Sequence, residues 1–415
     1  MSPVPAAPGP AWLDRYDVVV LGGGPAGATT AALLAERGHR VAVLERSAFP
    51  RFHVGESLIP ETYGTLKRLG LIEKLRQSAF PKKYSVQFVS ESGKESRPFY
   101  FDEHVPAESS QTWQVWREQF DQMLLDAAIE RGAIVQTQVQ AVAALFDGDR
   151  VIGVRARRRN DSSETFTLRC RVLVDATGQS TFLASRLGLK QPDARLRMAS
   201  VWSYFRGAHR GSGKDEGATI ILQTPGKKSW FWYIPLPDDI VSVGCTGRLD
   251  YLFGDEGLSA AQVFERELGR CPALERRLAG ATRERDYLVT RDFSYRTGQG
   301  AGPGWVLVGD ALGFIDPVYS SGVFLALKSG EMAADAIDSA LRTGDLSAKG
   351  LGGWQPRFAE GVDRFRRLVY AFYDPQFSFG RFLRQFPQHG ARLADILRGR
   401  VFEPEIEKMF RDMES

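Results

Sequence analysis

The sequence predicts an α/β fold: a parallel sheet interrupted by an inserted antiparallel sheet, with a C-terminal helical segment appended. Three observations predict it. Residues 16–21 (YDVVVL) are a short β-branched apolar run, followed by glycines and then by the Ala/Leu-rich stretch 25–37 (PAGATTAALLAER). A run without polar alternation suits a strand buried on both faces of a parallel sheet. A second run, 40–45 (RVAVLE), completes a strand–helix–strand unit of about 30 residues, the size of a βαβ unit. A third, Trp305-Val-Leu-Val308, restores the same strand type much later in the chain. Between them, 199–246 alternates, predicting antiparallel strands at 218–222, 229–235 and 240–245.

The remaining elements follow in order. Residues 60–77 read as one helix. Residues 117–131 read as another, with Phe120, Leu124, Ala127 and Ala128 on one face. Strands are expected at 134–139, 151–159 and 166–174, and a helix at 260–278. A helix from about 322 to 341 follows the third parallel strand. Residues 344–353 are Gly-rich and read as a linker, and from Pro356 onward the chain is helical and rich in Arg and Phe. The expected domain plan is a flexible tail over 1–14 and a Rossmann-type domain in two parts, 15–195 and 297–345. The first part makes an excursion toward the inserted sheet near 80–112. The inserted domain spans 196–296 and the C-terminal helical segment 346–415.

Composition narrows the function. The 415 residues are 43% hydrophobic and 25% charged, as in a folded globular enzyme. Fifty-four basic against 50 acidic residues leave +4, too thin an excess for nucleic acid, which needs a concentrated basic face. Cys170, Cys245 and Cys271 form no CxxC pair, and five scattered histidines offer no metal-ligand spacing. No metal site, disulfide framework or Ser-His-Asp hydrolase is therefore expected. No apolar run reaches the roughly 18 residues a membrane span needs. The start, with Pro3, Pro5, Pro8 and Pro10, lacks a signal peptide's basic and apolar regions. A cytoplasmic location is expected.

Gly22-Gly23-Gly24-Pro25-Ala26-Gly27 is a GxGxxG placed between a strand and a helix. In that setting Gly22 permits the tight turn, Gly24 lets a pyrophosphate approach the backbone, and Gly27 lets helix and strand pack closely. The helix start offers N–H groups to the phosphates. Glu45 ends the second strand, where an acid accepts hydrogen bonds from ribose hydroxyls. Arg46 beside it suits a 2′-phosphate instead. Two other glycine runs are set aside: 298–304 precedes a strand, and 226–229 lacks a P-loop's spacing. Gly309-Asp310 ends the third parallel strand, at the ligand edge of a doubly wound sheet. There Asp310 can accept hydrogen bonds from a polyol.

These motifs together resemble the FAD-binding fold of aromatic hydroxylases: the GGGPAG turn, VLER at 43–46, VLVDATG at 172–178 and VLVGDA at 306–311. Further runs resemble flavin-dependent halogenases of the phenol and pyrrole branch: FPRFHVGES at 49–57, Lys82-Lys83, WFWYIP at 230–235 and DPVYSSG at 316–322. The resemblance covers about 15–345 and implies the following. Gly22, Gly24, Ala26, Gly27, Glu45 and Arg46 would surround the ADP half of FAD. Arg117, of the QVxRxxFD pattern, and Gly309-Asp310 would contact the rest. Ser321 and Gly322 would bind chloride or bromide. Trp230, Trp232, Ile234 and Pro235 would wall the flavin from the substrate chamber. A separate flavin reductase would supply FADH2, O2 would form a peroxyflavin, and halide attack would give hypohalous acid. Lys83 would direct that acid onto a phenolic or pyrrolic ring, free or tethered to a carrier protein. Tyr319 stands where tryptophan halogenases carry a glutamate, which favours an electron-rich ring.

Each role has a plainer counterpart in the residues themselves. Arg117 could be a helix-surface arginine, and Ser320-Ser321 a plain helix N-cap. Trp230, Trp232 and Ile234 share one strand face and could be ordinary core. Alternation groups Lys83 with Ser85 and Gln87, a polar face that could meet solvent or a tunnel. The family's GFxxKxG pattern reads AFPKKYS at 79–85 here, so both glycines are replaced. An amine desolvated in an apolar tunnel would be held partly neutral. The basic and aromatic C-terminal helices could form a docking surface for a carrier protein or a membrane, but are expected rather to lie on the inserted domain as a lid. Competing functions are an NAD(P)H-dependent hydroxylase or epoxidase, a prenyl-chain reductase and a flavin-binding protein without turnover.

Overall fold

The computed structural model describes residues 15–254, 257–403 and 406–414. The tail expected over 1–14 lies outside them. The strand Arg15–Leu21 is flanked in parallel by Val41–Leu44 and Asp161–Asp175. Ile134–Gln136 extends the sheet beyond the first and Trp305–Leu307 beyond the second. Val18, Val19, Val20, Val172, Leu173 and Val174 have no exposed surface, which is why these strands read as unbroken apolar runs. The helix Pro25–Glu36 lies between this sheet, the helix Arg117–Glu130 and the long helix Ser321–Thr343, and only its last residue is exposed. A Cβ on Gly330 would stand 2.6 Å from the Ala26 carbonyl oxygen, so glycine lets the first and long helices touch there.

The inserted sheet runs in the order Met198–Arg206, Ile240–Arg248, Ser229–Pro235, Thr219–Gln223, Ser85–Val89, Phe99–Tyr100. Its pairs are antiparallel except Thr219–Gln223 with Ser85–Val89, which is parallel. The excursion near 80–112 thus supplies strands to the inserted sheet. One face, with Val201, Phe231, Tyr233, Val243 and Cys245, packs on helices Ala260–Leu268 and Pro272–Leu278. The other, with Trp202, Tyr204, Trp230, Trp232 and Ile234, packs on Phe365, Leu368, Val369 and Phe372 of the helix Gln355–Tyr373. The C-terminal segment therefore covers the tryptophan face.

Four expectations are corrected. The helix expected over 60–77 is two, Thr62–Arg68 and Ile72–Arg76, broken at Gly70, whose φ is +68°. The helix over 260–278 is also two, because Pro272 has no N–H to continue the first. The strand over 134–139 stops at Gln136; Gln138, at φ +59°, turns the chain into a new strand, Val139–Asp147. The linker at 344–353 contains a short helix, Ala348–Gly352, capped by Ser347 and anchored by buried Leu351. All three cysteines are buried and free. No described helix is long and apolar enough to cross a membrane.

Candidate functional site

The glycine turn is built as a cradle open on one side. Gly22 sits at φ +102°, and a Cβ there would lie 2.3 Å from the Ala176 carbonyl oxygen. A Cβ on Gly27 would lie 2.0 Å from the Gly22 carbonyl oxygen. Gly24 differs. Its Cβ would meet only the tip of the Arg51 side chain, at 3.2 Å. Gly24 is also the residue from which the first helix starts, with no side-chain cap, so the leading N–H groups face the open side. Ala26 is almost fully buried beneath the turn.

Glu45 is buried at the mouth of this cradle and accepts hydrogen bonds from Gly23 N (2.9 Å) and Ser47 N (2.7 Å). Arg46 is exposed and donates to Ser180 Oγ at 2.9 Å. Sequence reasoning missed Arg51. Its Nη1 lies 3.2 Å from Asp121 Oδ2 and its Nε 4.0 Å from Glu45 Oε1, while its Nη2 is the atom that overhangs Gly24. An open glycine, free helix N–H groups, an arginine whose Nη2 overhangs that glycine and an acid at the strand end together fit the phosphates and ribose of FAD. The only signal for Arg51 was its place in the FPRFHVGES run.

Arg117 is buried, unlike a surface arginine. It grips Asp121 through Nε (2.8 Å) and Nη2 (2.9 Å), and its Nη1 donates to the Val54 carbonyl at 2.6 Å. Gly309, at φ +58°, would place a Cβ 2.8 Å from the Ala26 Cβ. The Gly309-Asp310 turn therefore lies against the start of the first helix. Burial pushes the Asp310 carboxyl up to about 6, against the opposing pull of Arg117. The structure thus brings the glycine turn, Glu45, Arg117 and Asp310 to one edge of the parallel sheet.

The segment 316–322 leads from that edge into the long helix. Asp316 is buried; one carboxylate oxygen accepts from Val318 N and the other from the Tyr373 hydroxyl, both at 3.0 Å. Ser320 adopts φ +55° and makes no side-chain cap bond, so the plain N-cap expected of this serine pair is not what Ser320 provides. Ser321 is buried at the helix start, next to Gly322.

Trp230, Trp232 and Ile234 lie together on the face covered by the C-terminal helices, and Pro235 ends their strand, buried. Trp230 Nε1 donates to the Tyr373 hydroxyl (2.7 Å) and Trp232 Nε1 to Ser242 Oγ (3.2 Å). A Cβ on Gly244 would lie 2.1 Å from the Trp232 ring, so glycine there lets the indole lie flat on the sheet.

Lys82 is exposed, but Lys83 is only 2% exposed. Its short strand pairs with Thr112–Trp113. Its Nζ donates to Ser57 Oγ (2.8 Å) and the Leu58 carbonyl (3.0 Å), and lies 5.6 Å from the centre of the Phe101 ring. Burial alone lowers its pKa to about 7. Ser85 is also buried, while Gln87 is only partly covered. Ser57 continues to Thr219 Oγ1 (2.8 Å), which also accepts from Gln114 Nε2 (2.8 Å). Sequence reasoning also missed Glu56. It is 1% exposed, accepts from the Tyr204 hydroxyl at 2.5 Å, and is pushed up to about 7 by burial. Residues 51–57 thus run from the glycine cradle, at Arg51, to the buried amine, at Ser57. Among the described residues no group of His, Cys, Asp and Glu is arranged to hold a metal ion.

Comparison with known proteins finds similar chains along most of this length. The FAD binding domain family matches residues 15–227. The chain is 30% identical to the 1H-pyrrole-2-carbonyl-(peptidyl-carrier protein) chlorinase of Pseudomonas fluorescens, over 93% of its own length and 90% of that protein. It is 34% identical to the corresponding brominase of Pseudoalteromonas luteoviolacea, over 80% and 79%. Its structure superposes on a solved flavin-dependent brominase with a TM-score of 0.85 and 29% identity, covering 96% of this chain and 97% of that one.

Proposed function

The chain belongs to the flavin-dependent halogenases, and on that premise we propose that it is a two-component enzyme that halogenates a phenolic or pyrrolic ring at Lys83. Bound FADH2, brought by a separate flavin reductase, supplies with O2 the two-electron oxidation of chloride or bromide to hypohalous acid. The chain's own residues do the rest. The Gly24 cradle, the first helix start and Arg51 hold the phosphates, Glu45 the ribose, and Arg117 and Asp310 the remainder of the cofactor. The Ser321 hydroxyl and the N–H groups at Ser321-Gly322 replace part of the halide's hydration. Trp230, Trp232, Ile234 and Pro235 separate flavin from ring. At Lys83 the hypohalous acid gives its halogen to a ring carbon. That carbon loses its proton, and the hypohalous oxygen leaves as water.

One observation carries the lysine assignment. An amine this buried is ordinarily held by a carboxylate, yet Lys83 bonds only the neutral oxygens of Ser57 and Leu58. Two features support an electron-rich substrate. Tyr319, rather than a carboxylate, precedes Ser320-Ser321, and two relatives act on pyrrole carried by a peptidyl-carrier protein. A carrier-bound pyrrole is the first substrate to try.

The test is mass spectrometry of phenols and of free and carrier-bound pyrroles. Each is incubated with the protein, FAD, a flavin reductase, NADH, O2 and chloride or bromide, beside Lys83→Ala. A halogen isotope pattern that Lys83→Ala abolishes supports the reading; oxygen insertion indifferent to halide overturns it. The pH dependence is a second check. Because burial brings Lys83 down to about 7, the amine is protonated below that pH and neutral above it. If the neutral amine receives the halogen, kcat/KM rises with pH through about 7. A fall over the same interval would make the ammonium the working form.

A further inference from the structure

We propose that Tyr373, the last residue of the helix Gln355–Tyr373, is a positioning residue for the halide, holding the turn that carries Ser321 and Gly322 against the tryptophan strand. The proposal rests on the halide reading given above for those two residues. Three segments far apart in sequence meet at one hydroxyl: Trp230 Nε1 lies 2.7 Å from Tyr373 Oη, which lies 3.0 Å from Asp316 Oδ2. The direction of the chain is fixed by chemistry. An indole N–H can only donate, so the tyrosine oxygen accepts from Trp230 and its own proton goes to the carboxyl. The other oxygen of Asp316 accepts from Val318 N at 3.0 Å. Both ends of the carboxyl are thereby committed, and with them the course of residues 316–321 through the left-handed Ser320.

One other hydrogen bond joins this turn to the same helix, from the Tyr319 hydroxyl to the Leu368 carbonyl at 3.4 Å, and it does not touch Asp316. Asp316 is 2% exposed and takes part in no ion pair among the described residues. Phe372, next to Tyr373, makes T-shaped ring contacts with both Trp230 (6.0 Å) and Tyr319 (6.1 Å). Lys227, in the turn before the tryptophan strand, donates to the carbonyls of Asp374 (3.2 Å) and Phe377 (2.7 Å), pinning the helix end from the other side. The C-terminal segment is therefore joined by hydrogen bonds to both walls of the proposed halide site. Without the tyrosine hydroxyl, a buried indole N–H and a buried carboxyl each lose a partner, and the turn loses the contact that selects its conformation.

The test is Tyr373→Phe, with Asp316→Asn approaching the same chain from its other end. Oxidised FAD affinity, halide Kd from quenching of bound-flavin fluorescence, bromide KM and kcat are measured on the full chain. The expected result for Tyr373→Phe is a bromide KM and halide Kd raised about tenfold, the scale of one hydrogen bond to a charged group. FAD affinity and kcat at saturating bromide should stay within about twofold. The double variant should be less than additive, because both changes break one contact. Equal loss of FAD affinity and kcat in Tyr373→Phe, or an unchanged halide Kd, overturns the proposal. If Tyr373→Phe fails to fold, the Asp316→Asn halide Kd decides. Ser321→Ala separates the two readings: if it leaves halide Kd unchanged, the halide site itself is wrong; if it weakens halide and Tyr373→Phe does not, only the positioning role fails.

Discussion

Lys83→Met is expected to abolish halogenation while leaving the protein more stable at pH 6–7. Methionine fills nearly the same volume without a charge to bury. In the folded protein burial brings Lys83 from its ordinary 10.5 to about 7. Between those two values the unfolded chain holds a proton that the folded chain does not, so stability rises with pH across that window. At pH 7 and below the full cost of burial is present, roughly 5 kcal/mol at 1.36 kcal/mol per pH unit. Against this, Ser57 and the Leu58 carbonyl lose a donor, about 1–3 kcal/mol if left unpaired. Ser57 keeps Thr219 as a partner, so the loss stays at the low end. The net expectation is a gain of a few kcal/mol at pH 6.5 that shrinks by pH 9.5. Urea unfolding at the two pH values measures it. A variant less stable than the parent at pH 6.5 would make Lys83 a structural residue and remove the main support for the proposed chemistry.

How far the sequence reached is clearest at this lysine. Alternation grouped Lys83 with Ser85 but gave no sign of which face met solvent. The answer depends on Thr112–Trp113, the strand that pairs with Lys82–Lys83, and on Ser57, both distant in sequence. Local pattern carried the parallel strands and the tryptophan strand, because their periodicity records burial directly. It carried the glycine turn because a positive φ and a close approach leave no other residue type workable at Gly22 and Gly27. It misjudged the helix at 60–77, where apolar spacing continues across Gly70 while the backbone turns out of the helix. Arg51, Glu56 and Tyr373 were beyond it for a common reason. Each is an ordinary residue in its own segment and gains its place only from partners elsewhere: Asp121 for Arg51, Tyr204 for Glu56, Trp230 and Asp316 for Tyr373. The sequence led to the family through its turns and strands; the contacts that join the cofactor edge to the reacting edge are tertiary.

Gly24→Val and Gly27→Val are expected to separate binding from folding within one turn. Gly24 has φ −74° and ψ −175°, a region any residue adopts and one suited to a position before proline. Its Cβ would meet only the movable end of Arg51. The fold should therefore accept valine, with the Tm of the FAD-free protein within a few degrees of the parent. The space the side chain enters is the open side of the cradle, where the proposal puts the pyrophosphate. FAD affinity should fall by at least about 100-fold, roughly 3 kcal/mol. Gly27 is the opposite case. Its Cβ would stand 2.0 Å from a carbonyl oxygen and 3.0 Å from the Ala176 Cβ, both inside the protein. Valine there must push the first helix off the sheet and should lower Tm whether or not FAD is present. Fluorescence titration of FAD and thermal melts of the FAD-free variants measure the pair. Unchanged FAD affinity in Gly24→Val would mean that the phosphates do not cross this turn. The roles given to Arg51 and Glu45 would fall with it, since both are argued from the same open side.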